Sequence, residues 1–142
     1  MDFEAARTAL IDSQVRPNDV TDRRLIAAMA AVPREIFVPQ NRVALAYADT
    51  AVEIRPGRWL AAARDFSKLV MVSTVREGDR VLDIAPGTGY STTVLSRLAG
   101  SVVALEEDEA AAKALGEGLA AAGVSGVEVV TGALKAGVPG KG

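Results

Sequence analysis

Val81-Leu82-Asp83-Ile84-Ala85-Pro86-Gly87-Thr88-Gly89-Tyr90 reads as a strand that runs into a tight glycine turn and then into a helix. Branched residues dominate the first four positions, while Gly87 and Gly89 can take positive φ and let another group approach the backbone closely. Two more runs rich in branched residues follow, Ser101-Val102-Val103-Ala104-Leu105 and Val127-Glu128-Val129-Val130. All three read as buried strands. Between them lie helical stretches, Ser91 to Ala99 and Glu109 to Ala122, which Gly100 and Gly123 are expected to close with left-handed caps. Strand, helix, strand, helix, strand predicts an α/β fold with a right-handed parallel sheet.

Upstream the pattern is helical. Ala5, Leu10 and Ile11 recur at rough helical spacing, and Asp19 to Asp22 supplies cap candidates for a second helix through Leu25-Ile26-Ala27-Ala28-Met29. Pro33 bars helix at Val32, so the helix is expected to stop there and Ile36-Phe37-Val38-Pro39 to be extended. A third helix is expected over about Asp65 to Arg76, with Phe66, Leu69, Val70 and Ser73 as its buried face. Composition shifts near Glu77-Gly78-Asp79: residues 1–76 carry 11 basic and 9 acidic side chains, residues 77–142 carry 5 and 9. We therefore expect an N-terminal helical segment over 1–76 and a sheet segment over 77–142.

The 142 residues, 49% apolar and 24% charged, belong to the soluble globular class and suffice for one core. A net charge of -2 argues against a nucleic-acid surface driven by phosphate neutralisation. The chain has no cysteine and no histidine, which removes disulfides, thiolate zinc sites and imidazole-based triads together. No long apolar run and no signal segment is visible, so membrane partners are not expected and a cytoplasmic location is.

Glycines 87 and 89 would let a nucleoside or amino-acid moiety lie across the carboxyl end of the first strand, although a G-x-G pair also fits a turn that binds nothing. Glu106 ends the second strand 17 positions beyond Gly89, where an acid can accept both hydroxyls of a ribose. Its neighbours Glu107, Asp108 and Glu109 read as helix-capping and dipole-complementing acids. Asp83 is costly to bury unless it is paired, with turn amides and a ligand ammonium group both open as partners. A nicotinamide dehydrogenase fingerprint is disfavoured, because its third glycine would fall near Thr92.

Three segments carry a resemblance that covers nearly the whole chain: Ala30-Ala31-Val32-Pro33-Arg34-Glu35-Ile36-Phe37-Val38, Ala46-Tyr47-Ala48-Asp49 leading to Gly57, and Arg80 through Tyr90. In these the chain resembles the protein-L-isoaspartate O-methyltransferases, class I enzymes that use S-adenosylmethionine. The resemblance implies a Rossmann-like sheet, a protein or peptide substrate, and a cofactor bordered by Asp83, Gly87, Thr88, Gly89 and Tyr90, with Glu106 on its ribose. It implies no catalytic acid or base. A carboxylate nucleophile is already ionised at pH 7, so placement and desolvation supply most of the catalysis, and a chain without histidine is compatible with it.

The sequence departs from the family at four points. Ala61-Ala62-Ala63 stands where family members carry serine-glutamine-proline, which removes polar contacts to the substrate carboxylate; helix propensity, extending the third helix back toward Leu60, also accounts for the alanines. Ala85-Pro86 replaces the glycine that usually begins the turn. Ala133 stands where an acid usually meets the adenine amino group. Finally, three strands are expected where a complete class I sheet has seven, so the chain reads as a C-terminally truncated, divergent member carrying the first half of the sheet. A cofactor-binding module without catalysis and a structural remnant remain the alternatives. The first strand would keep an unpaired apolar edge, which predicts either pairing with a second copy or cover by the N-terminal helices.

Overall fold

A computed structural model describes residues 1–140. The chain forms two compact units, Met1–Val75 and Arg76–Gly142.

In the first unit, Asp2 caps helix α1 (Phe3–Leu10), its carboxylate accepting the Ala5 amide at 3.0 Å. The chain continues through a π-helical turn (Ile11–Val15) and a 3-10 turn (Arg16–Asn18) that contains Pro17. Asp22 is the cap that the sequence leads one to expect: it accepts the amides of Arg24 and Leu25 and starts α2 (Arg23–Ala31). That helix ends before Pro33, with Val32 extended as expected. Ile36 and Phe37, expected to be extended, instead lie in a 3-10 turn (Arg34–Phe37), and the chain is extended at Val38 and Pro39. The turn drives Phe37 into the core, where it is almost fully buried.

Strands β1 (Val52–Arg55) and β2 (Arg58–Leu60) form an antiparallel hairpin, followed by α3 (Ala63–Ser73). Ala61 and Ala62 do not extend that helix; Ala62 is extended at its start. The buried stripe of α3 is Ala63, Ser67 and Val70, whereas Leu69 is 65% exposed. The helix is thus rotated from the expected face, toward small residues that permit close packing. Ser67 can be buried there because its hydroxyl donates to the Arg64 carbonyl at 2.9 Å.

The second unit holds β3 (Arg80–Ile84), α4 (Tyr90–Ser96), β4 (Ser101–Glu106), α5 (Glu109–Ala121) and β5 (Glu128–Thr131). The strands are parallel in the order β3-β4-β5, with Val81 opposite Val102, Asp83 opposite Ala104 and Glu106 opposite Thr131. Two right-handed crossovers stepping the same way across a sheet leave both helices on one face. There Ala104 packs with Leu115 and Leu119. Partners in a parallel ladder point the same way, so Asp83 and Glu106 share the helix-covered face, while Leu82, Ile84 and Val103 point to the other.

Only β4 is buried along most of its length; Leu82 and Ile84 on β3 are exposed and β5 is largely so. The three-buried-strand expectation fails because β3 and β5 are the outer strands of this unit and helices cover a single face. Residues beyond β5 return over the second face, where Leu82, Val103 and Val138 line an open groove of about 550 Å³.

Gly123 (φ +73°) closes α5 as expected, with the Val124 amide reaching back to the Leu119 carbonyl. Gly100 is not left-handed. Its amide bonds the Asp79 carbonyl at 2.8 Å, and a Cβ there would come within 2.9 Å of the Glu77 carbonyl oxygen, so closeness and not φ demands glycine.

Candidate functional site

The end of β3 and the start of α4 enclose a turn in which three of five residues are left-handed: Ala85 (φ +57°), Gly87 (φ +67°) and Gly89 (φ +105°). The Ala85 amide bonds the Leu105 carbonyl at 2.9 Å, continuing the ladder to β4, and the chain then folds back over the end of that strand. Ala85 carries strain here, since a residue with a Cβ pays roughly 1–2 kcal/mol in the left-handed region. The glycine that the resemblance leads one to expect at the start of the turn thus has a backbone reason.

Glu106 lies at the carboxyl end of β4 and is fully buried. One carboxylate oxygen accepts the Gly87 amide at 2.9 Å and the other the Glu107 amide at 3.2 Å. The acid is therefore aimed into the turn. Asp83, on the same face of β3, accepts the hydroxyls of Ser91 (2.7 Å) and Thr92 (2.9 Å) through one oxygen. Turn amides had been one expected partner for it, and hydroxyls from α4 take that place. Burial pushes the Asp83 carboxyl above the usual carboxylate range; the two hydroxyls oppose the shift and the nearby Glu106 charge adds to it.

The other expected site residues divide. Gly87 and Thr88 are half-buried at the turn, whereas Gly89 and Tyr90 are buried beneath it. At Gly89 the missing side chain makes room for α5: a Cβ would lie 3.1 Å from Leu115 Cδ1 and 3.3 Å from Leu119 Cδ2. Asp108 caps α5 by accepting the Ala111 amide at 2.8 Å, as the sequence indicates. Past β5, the Gly132 amide bonds the Glu106 carbonyl at 2.9 Å, so Ala133 follows directly on the Glu106 end of the sheet. Sequence reasoning missed Ser91 and Thr92. Their signal was two hydroxyl residues in the first turn of a helix that begins where the strand bearing Asp83 ends.

Two of the segments that carry the family resemblance meet in the first unit. The Tyr47 hydroxyl donates to the Glu35 carboxylate and accepts from Arg7 Nε (3.1 Å) and from the Arg34 amide (3.1 Å), while Arg7 Nη2 bonds Glu35 at 2.9 Å. Burial raises the Tyr47 phenol above its ordinary value against the hydrogen bond from Arg7. Among the described residues no group of acidic side chains is placed to hold a metal ion, and no helix is long and apolar enough to cross a membrane.

Comparison with known proteins bears on this arrangement. The family model for protein-L-isoaspartate(D-aspartate) O-methyltransferase (PCMT) matches residues 5–141. A protein-L-isoaspartate O-methyltransferase of Methanoculleus marisnigri is 36% identical over 133 residues, covering 94% of this chain and 60% of the relative. One from Roseiflexus sp. is 36% identical over 139 residues, covering 98% and 63%. This chain thus spans roughly three-fifths of the length of these relatives. Among solved structures, a protein-L-isoaspartate O-methyltransferase superposes with a TM-score of 0.79 at 23% identity, over 94% of this chain and 44% of the other. A beta-aspartate methyltransferase (PCMT) from Plasmodium falciparum, in complex with S-adenosyl-L-homocysteine, gives 0.70 at 17% identity, over 87% and 61%. Both likenesses concern the fold: helices at the N-terminal end, then a three-stranded parallel sheet of the methyltransferase type.

Proposed function

The chain belongs to the protein-L-isoaspartate O-methyltransferase family, and from that premise we propose that its second unit binds S-adenosylmethionine at the glycine turn, for methyl transfer to an isoaspartyl carboxylate of a protein or peptide. One observation carries the reading: the buried Glu106 carboxylate is bonded to the Gly87 amide, so acid and turn form one site. That arrangement fits an adenosyl compound, because a carboxylate aimed into a left-handed turn can accept vicinal hydroxyls that enter there.

In this reading Glu106 holds the ribose, and Gly87 and Thr88 lie against the methionine part of the ligand. Asp83, steadied by Ser91 and Thr92, offers its carboxylate toward an ammonium group. Gly89 and Tyr90 support the turn from beneath, since both are buried. When bound, the cofactor supplies a methyl group on a sulfonium. The accepting carboxylate is ionised at neutral pH, so no side chain of this chain has to act as a base. The reading places this activity in the cytoplasm.

A second reading, binding without turnover, is favoured by Ala61–Ala63, a stretch with backbone groups but no polar side chain to hold a substrate carboxylate. Calorimetric titration with S-adenosylhomocysteine tests the site. Saturable binding is expected, weakened about tenfold or more by Glu106→Ala, the loss of one charge-assisted hydrogen-bond set. Heat changes that are identical in the variant, or absent in the parent, would overturn the assignment. Incorporation of labelled methyl into an isoaspartyl peptide separates the two readings: transfer above the level of Glu106→Ala supports the first, and binding with no transfer supports the second.

A further inference from the structure

Three hydroxyl residues follow one another in the first turn of α4, and each has a defined acceptor. Thr93 donates back to the Gly89 carbonyl (2.8 Å), whereas Ser91 and Thr92 reach across to β3 and donate to Asp83. Both hydroxyls arrive at the same oxygen, Oδ2. Thr92 is fully buried, so packing as well as the hydrogen bond fixes where its hydroxyl points. Among the described residues Oδ1 receives no hydrogen bond and no ion pair, and it is not sealed from solvent. Glu106 differs: it accepts the Gly87 amide on one oxygen and the Glu107 amide on the other. Two hydroxyls that served only to satisfy a buried carboxylate would gain more from taking one oxygen each. Gathered on Oδ2, they pin the plane of the Asp83 carboxylate and leave Oδ1 as its accepting edge.

Electrostatics indicates what that edge accepts. Among the described residues the one charge acting on Asp83 is the like charge of Glu106, so no lysine or arginine competes with an arriving cation. A partly buried carboxylate oxygen that meets no donor costs free energy, and a ligand that brings one removes the cost. Glu106 supplies the second point of reference. It lies on the neighbouring strand and the same face, two residues beyond Ala104, the ladder partner of Asp83. Strand spacing and rise separate the two Cα atoms by about 8 Å, a span that a sugar and a short amino-acid arm bridge. We propose that Ser91 and Thr92 are positioning residues that aim Oδ1 of Asp83 at a primary ammonium group, so that the site selects nucleosides bearing an amino-acid arm over the same nucleosides without the ammonium. The inference rests on the reading of the glycine turn as the cofactor site, and it names the residues that set selectivity there. Charge-assisted hydrogen bonds to a carboxylate are strong only when its geometry is fixed, and the hydroxyl pair fixes it.

Two ligands test this by calorimetry: S-adenosylhomocysteine and its deamino analogue, in which hydrogen replaces the ammonium and the carboxylate is kept. The parent is expected to bind the first about tenfold more tightly than the second. Ser91→Ala combined with Thr92→Val removes both hydroxyls at nearly constant volume. It is expected to weaken S-adenosylhomocysteine about tenfold and the deamino analogue less than about twofold, which a general loosening of the turn would not do. Ser91→Thr, which keeps the hydroxyl, should retain the preference of the parent. If the double variant loses its cooperative thermal transition, Ser91→Ala alone, at the half-buried position, is expected to weaken S-adenosylhomocysteine about threefold and to spare the analogue. Equal affinity of the parent for the two ligands, or equal weakening of both in the folded variants, would overturn the inference and leave the cofactor site standing. Glu106→Ala should weaken both ligands alike, since both carry the ribose. A parent that binds neither ligand overturns the cofactor reading and this inference with it.

Discussion

Asp83 and Glu106 point to the same side of one small sheet, and their neighbours give them different tasks. Glu106 is held by two backbone amides, whereas Asp83 has only hydroxyls against the burial that disfavours its charge. The raised value of Asp83 makes it a pH-dependent burden on the fold. Below the ordinary aspartate range it is protonated in native and unfolded chains alike and costs nothing. As pH rises through that range toward the raised native value, the unfolded chain releases its proton first, so stability falls; above the native value the cost is complete. Urea denaturation at a series of pH values should therefore show the parent losing stability relative to Asp83→Asn as pH rises through this window. Parallel curves for the two proteins would contradict that account.

At the scale of elements, the turn depends on a helix that follows it in the chain. Helix α5 presses Leu115 and Leu119 against Gly89, so the geometry over Asp83 and Glu106 is set partly by packing from beneath. Gly89→Ala adds an overpacked methyl to a backbone angle that residues with a Cβ rarely adopt, and should cost about 2–4 kcal/mol in chemical denaturation. A change below half a kcal/mol would mean that α5 can retreat from the turn. The first unit uses buried polar contacts for the corresponding purpose: Tyr47 gathers Arg7, the Arg34 amide and Glu35, while the Arg34 guanidinium secures the hairpin. Motif residues that look functional in the sequence thus serve here to join segments distant along the chain.

Across the whole molecule, β3 bonds β4 on one side and has no other strand neighbour among the described residues, with Leu82 and Ile84 exposed beside that free edge. Unpaired apolar edges recruit further strands. We expect self-association that rises with concentration in sedimentation experiments and is reduced by Ile84→Lys; a monomer at every concentration would remove that expectation. The sequence by itself determined the alternating parallel sheet, the glycine turn and Glu106 at the end of its strand, because strand and helix periods, glycine and chain order are local properties. Only the tertiary structure decided that hydroxyls hold Asp83, that Gly89 serves α5, that α3 buries Ala63 and Ser67, and that Arg34 reaches Ala46 and Ala61. Those outcomes depend on which surfaces meet after folding, where close packing and the pairing of buried polar groups outweigh any pattern along the chain.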